Sequence, residues 1–160
     1  MNHVMKNLIF VLFLFVSVFG FGQTYTDSLT SKTYIDVKTV EYWMVRYINQ
    51  ERINAGLDTL VLSDKLDNIS NTHSAWMCKT GKYEHSGLNV FEVCMKSGSG
   101  ANSITHKRVA EGAVIAWMSS PAHKSIIIRK DVKYIGSGFA YSIRSTDGYA
   151  SFYYTVNIDY

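Results

Sequence analysis

Asp147-Gly148-Tyr149-Ala150-Ser151-Phe152-Tyr153-Tyr154-Thr155-Val156-Asn157-Ile158-Asp159 is the stretch that decides the fold. Ala150, Phe152, Tyr154, Val156 and Ile158 alternate with Ser151, Tyr153, Thr155, Asn157 and Asp159. A period of two places one set of side chains on a core and the other on the opposite face of a strand. Asp147-Gly148 is a strong hairpin turn, and the β-rich run from Val132 to Ser142 supplies the partner strand.

Toward the N-terminus the period changes. Val40, Trp43, Met44, Tyr47 and Ile48 fall at helical spacing, and Ala55-Gly56 ends that first helix. Leu57 to Leu62 is a short extended link. Ser63 caps a second helix whose stripe is Leu66, Ile69, His73, Trp76 and Met77, and Gly81 stops it. Residues 82–104 carry Gly87, Gly98 and Gly100 and read as a loop, with a short strand or turn near Val90–Met95. Val109, Ala113, Ala116 and Trp117 mark a third helix. Ser119-Ser120-Pro121 then opens a short fourth one, with proline at the first helical position. Helices first and a hairpin last make an α+β domain, with helices packed on an antiparallel sheet.

The chain of 160 residues is one domain's worth, and 47% hydrophobic residues suffice for a core. A formal net charge of +3 without a basic block excludes a dedicated nucleic-acid binder. Residues 1–22 read as a signal peptide: Lys6, then a nearly unbroken apolar run from Leu8 to Phe19, then Gly20-Phe21-Gly22 before Gln23. The 16 residues from Asn7 to Gly22 fall short of the roughly 20 that span a bilayer. No membrane span is therefore expected after cleavage. The product is exported to the periplasm, the cell surface or the medium, with residues 23–39 as a lead-in and 40–160 as the domain. A monomer is expected.

An oxidising compartment favours a Cys78–Cys94 disulfide, closing a loop of about 17 residues and worth about 3 kcal/mol. The alternative is two buried thiols packed as small hydrophobes. Four histidines follow the leader: His73, His85, His106 and His123. His85 lies just beyond the second helix, and His123 in the first turn of the fourth, where backbone N–H groups favour neutral imidazole. Glu92 stands among Val90, Phe91 and Val93, where a carboxylate must reach solvent or a partner. His85, Glu92 and His123 form the candidate cleft and metal set. His73 is expected to be hydrogen-bonded and partly buried, His106 solvated, and Trp43, Trp76 and Trp117 packed in the core. Gly136 and Gly138 let a helix approach a strand closely.

The run Val45–Leu66 follows the order Asn-x-x-Arg, Gly-Leu, a leucine pair, Asp and Leu, and resembles the opening of a CAP (SCP) domain. The resemblance continues through His73-Ser74-Ala75-Trp76-Met77, Tyr83-Glu84-His85-Ser86, Ala116-Trp117-Met118-Ser119-Ser120-Pro121-Ala122-His123 and Tyr134-Ile135-Gly136-Ser137-Gly138. It implies a three-layer α–β–α sandwich with a cleft of two histidines and acidic residues, which in some members holds a divalent metal such as zinc. By motif the cleft histidines match His85 and His123. The family's Gly-Glu-Asn acid matches Glu92, with Phe91 and Val93 replacing its neighbours. A second acid is missing, since Met118-Ser119-Ser120 occupy its place, leaving open coordination positions. The function implied is a non-enzymatic binding module for a metal, a small polar ligand or a cell-envelope component. A peptidase-like hydrolase and a lipid or sterol carrier are the alternatives.

Overall fold

The computed structural model describes residues 35–100 and 104–160; the expected signal peptide and residues 23–34 of the lead-in lie outside them. The elements run α1 (Val37–Asn54), β1 (Val61–Leu62), α2 (Asp64–Thr80), β2 (Phe91–Gly100), α3 (His106–Ser119), α4 (Pro121–Ile127), β3 (Tyr134–Ile143) and β4 (Tyr149–Asp159). Their ends follow local chemistry. Ser63 Oγ accepts from Leu66 N–H at the start of α2, and Gly81, at φ 70°, closes it in the left-handed conformation. Helix α1 begins three residues before Val40, because Asp36 caps it by accepting from Lys38 N–H.

The four strands form one sheet in the order β1-β3-β4-β2. It is mixed rather than purely antiparallel: β1 pairs with β3 in parallel, while β3–β4 and β4–β2 are antiparallel. The expected loop at 82–104 is the largest local difference. Ten of its residues are β2, paired without a slip from Phe91↔Ile158 to Gly100↔Tyr149. The first half falls where a short strand or turn was expected, near Val90–Met95; glycines and serines hid the second half, which is held by pairing with β4 rather than by its own propensity.

One face of the sheet is greasy. Ile135, Phe139, Phe152, Tyr154, Val156 and Ile158 pack there with Val93 against Val40, Met44 and Ile48 of α1 and Val109, Ala113 and Trp117 of α3. Burying each large aliphatic side chain contributes about 1.5–3 kcal/mol. The other face carries α2 and is largely polar. Ser70 Oγ donates to the Gly136 carbonyl (3.0 Å) and accepts from Asn157 Nδ2 (2.9 Å). One helical turn on, Ser74 Oγ donates to the Gly138 carbonyl (2.9 Å) and shares a second hydrogen bond with the Thr155 hydroxyl (2.9 Å). These two rungs need α2 pressed onto β3, and the glycines permit it. A Cβ at Gly136 would lie 2.1 Å from Leu66 C, and one at Gly138 2.2 Å from Ser70 C.

Because β1 is two residues long, β3 beyond Ile135 has no strand on that side among the described residues, and side chains meet its backbone instead. Ser137 N–H donates to Asp67 Oδ1, Asn71 Nδ2 donates to the Ser137 carbonyl, and Phe139 N–H donates to Glu41 Oε1. This accounts for the buried Glu41. Arg52, also buried, donates to the carbonyls of Asp58, Ile127 and Arg129 and ties α1 to the chain leaving α4.

Three expectations are corrected. His106 is buried, not solvated: its Nε2 accepts from Asp36 N–H (3.0 Å), so the start of α1 covers it. Of the tryptophans only Trp117 is fully buried; Trp43 and Trp76 are half-buried, with Lys107 Nζ 4.4 Å from the Trp43 ring centre. Cys78 and Cys94 are free thiols rather than a disulfide. Cys94 belongs to a small cluster with Met77 and Tyr153 that Cys78 touches from its rim, and its sulfur lies by His85 instead.

Candidate functional site

The site is built on β2, at the edge of the sheet. Glu92 and Cys94 are two residues apart, so both side chains project toward the α2 face. An edge strand turns the backbone groups of every second residue away from its neighbour. The Cys94 carbonyl is turned away from β4 in this manner, and it accepts from Tyr83 Oη (3.1 Å) and Trp117 Nε1 (3.3 Å). The segment after α2 and helix α3 are thereby pinned to the same strand position.

Glu92 is the centre of the cluster. Its Oε1 accepts from His85 Nδ1 and from Ser86 N–H, both at 2.9 Å, and lies 3.9 Å from His73 Nε2. Its side chain is only 5% exposed, and Oε2 has no hydrogen-bond partner among the described residues. A buried carboxylate oxygen without a partner is costly. His73, on α2, is hydrogen-bonded as expected and buried rather than partly buried: Nε2 donates to the Glu84 carbonyl (2.9 Å), and its ring stacks on Trp76. His85 Nδ1 donates to Glu92, and the ring carrying its Nε2 is exposed.

His123, near the start of α4, is half-buried. Burial holds its pKa below the ordinary imidazole value, and the charge of nearby His85 adds to the effect. The neutral form that metal binding or proton transfer needs is therefore favoured. Of the expected set, the structure joins His85 directly to Glu92, while His123 is linked to the pair through the electrostatic effect of His85 on it.

Sequence reasoning missed Cys94 as a member of the site. Its Sγ is 3.7 Å from His85 Nδ1, and His85, Glu92 and Cys94 offer ligand atoms all within 4.8 Å of one another. The signal was there in the i, i+2 spacing of Glu92 and Cys94, but it has meaning only once 91–100 is known to be a strand. Burial, and then the charge of Glu92, pushes the Cys94 thiol up to about 12. Beside the cluster a groove of about 500 Å³ runs between α2 and residues 84–88, with Asn68, Thr72, His73, Trp76, His85 and Leu88 along it.

The chain's likenesses agree with this architecture. Residues 45–158 match the model of the cysteine-rich secretory protein (CAP) family. An outer surface protein of Borrelia burgdorferi is 19% identical, with 81% of this chain and 100% of that one covered at a TM-score of 0.55. The protein named MpPR-1i superposes over 79% of this chain and 90% of its own, at 13% identity and a TM-score of 0.56. An extracellular protein of Bacillus anthracis containing an SCP domain is 13% identical over 81% of this chain and 45% of its own, with a TM-score of 0.53. No curated protein sequence matches. Among the described residues no helix is long and apolar enough to cross a membrane. With the α–β–α layers in place and the family's sequence pattern running over 45–158, the chain belongs to the cysteine-rich secretory protein, or CAP, family.

Proposed function

We propose that this chain is an exported, non-enzymatic binding module whose cleft, formed by His85, Glu92 and His123, takes a divalent metal such as zinc or a small polar ligand. The observation that carries the proposal is the buried Glu92 carboxylate, with one oxygen shared by His85 and Ser86 and the other without a hydrogen-bond partner among the described residues. A cation beside it would satisfy that oxygen and draw on the imidazole nitrogen of His85 next to it. The residues fit the group: imidazole nitrogen and carboxylate oxygen are donors that zinc accepts. Bound there, the metal would supply a Lewis-acidic centre with open positions. The groove along α2 would admit the ligand that fills them.

Calorimetric titration of Zn²⁺ into the purified protein tests this, with wild type beside His85→Ala and His123→Ala and folding verified by circular dichroism. Binding near one ion per chain, lost in both variants, is the expected result. Binding indifferent to both substitutions, or no binding, would remove the cleft as a metal site. Export is tested separately, by whether the mass of the protein recovered outside the cytoplasm corresponds to a chain starting at Gln23.

A further inference from the structure

We infer that Cys94 is a ligand of the metal site, supplying a thiolate that tunes the cleft to borderline and soft cations. The inference rests on the metal-binding reading above and extends it to a residue that the family pattern does not include. Three observations carry it. First, Glu92 and Cys94 leave the same face of one rigidly paired strand, and the carbonyl of Cys94 is clamped by Tyr83 and Trp117. Second, His85 Nδ1 and Cys94 Sγ are 3.7 Å apart. Tetrahedral coordination with Zn–N near ~2.0 Å and Zn–S near ~2.3 Å places those two atoms about 3.5 Å apart, so little movement is required. Third, Glu92 offers a carboxylate oxygen within 4.8 Å of the nitrogen and sulfur donors, and its Oε2 is buried with no hydrogen-bond partner among the described residues.

The coordination step balances simply. The incoming dication forms a bond to Sγ and the thiol proton leaves to water. The proton on His85 Nδ1 is exchanged for one on Nε2, and Glu92 exchanges that hydrogen bond for the metal. No oxidant or reductant takes part. A nitrogen, oxygen and sulfur donor set favours zinc and cobalt over magnesium and calcium, which prefer oxygen alone. The second thiol, Cys78, lies at the rim of the Met77–Tyr153 cluster and is outside the set.

Cobalt(II) gives a readout specific to sulfur. The purified chain, kept reduced, is titrated with Co²⁺ and followed by absorption, beside Cys94→Ser and Cys78→Ser. Expected are visible cobalt bands together with a near-ultraviolet sulfur-to-cobalt charge-transfer band in wild type and Cys78→Ser. In Cys94→Ser the near-ultraviolet band is lost and affinity falls by ~10-fold or more. Calcium and magnesium in excess should leave the wild-type spectrum unchanged, and zinc should abolish it. Visible bands without the near-ultraviolet one, or a near-ultraviolet band that survives in Cys94→Ser, overturn the role of Cys94 and leave the metal site standing. Absence of cobalt and zinc binding in every protein overturns both. If Cys94→Ser fails to fold by circular dichroism, Cys94→Ala is used with the same readout.

Discussion

The two faces of the sheet solve the same packing problem in opposite ways. Against α1 and α3 the strands present Ile135, Phe139, Tyr154, Val156 and Ile158, and the helices answer with Val40, Met44, Ile48 and Trp117. Against α2 they present Gly136, Gly138, Thr155 and Asn157, and the helix answers with Ser70 and Ser74. The first interface is non-directional and tolerates many shapes; the second works only at one distance and one rotation of the helix. Precision of that kind is what a site needs. His73 comes from α2, and Glu92 and Cys94 come from the same polar face of β2. The greasy face holds the fold together, and the polar face sets the position of the donors.

That contrast can be broken by substitution. The largest effect is expected on the apolar side: Trp117→Ala should cost about 3–5 kcal/mol in urea unfolding, through a large cavity and the loss of the donor to the Cys94 carbonyl. Gly138→Ala comes next, at about 3 kcal/mol, because the new Cβ would fall 2.2 Å from Ser70 backbone and α2 would have to lift. Its control is Gly112→Ala on α3, where nothing lies within 4 Å; there alanine should add about 0.8–1.0 kcal/mol by helix propensity. If both glycines behave alike, close approach is not what distinguishes the faces.

Ser70→Ala should cost about 1–3 kcal/mol, since it strands Asn157 Nδ2 and leaves the Gly136 carbonyl without that donor. A double-mutant cycle with Asn157→Ala should then be clearly non-additive, and additivity would show that the rung carries no coupling.

The smallest effect is one of pH. Burial raises the Glu41 pKa above its ordinary value, against the opposing hydrogen bonds from Lys38 and Phe139 N–H. Between the unfolded and folded values the native state holds more protons than the unfolded chain, so stability falls as pH rises through that window and is fully present below it. Glu41→Gln keeps an acceptor for Phe139 N–H and should flatten this slope in unfolding curves taken from about pH 4 to about pH 7.

Much of this was legible in the chain. Serine before a helical stripe and glycine after it bounded α2 at Ser63 and Gly81, because caps are local and depend on few residues. The alternation after Asp147-Gly148 identified β4 and its inner face, because a strand with one buried side carries its period in its own side chains. Gly136 and Gly138 pointed to a close helix, and α2 lies there. Strand β2 was legible only in its first half, where a short strand or turn was expected near Val90–Met95; its second half reads Lys-Ser-Gly-Ser-Gly, and only pairing with β4 makes it extended. His106 was not legible either: its burial depends on Asp36, seventy positions away.

The sequence by itself determined the helices, the hairpin and the residue types from which a cleft could be drawn, because period, caps and turns act over a few residues. Only the tertiary structure decided which of those residues meet. Glu92 finds His85 and Ser86 because the segment after α2 folds back over the edge strand. Cys94 joins them because strand geometry returns every second side chain to the same face. That placement depends on long-range pairing, which no local pattern encodes.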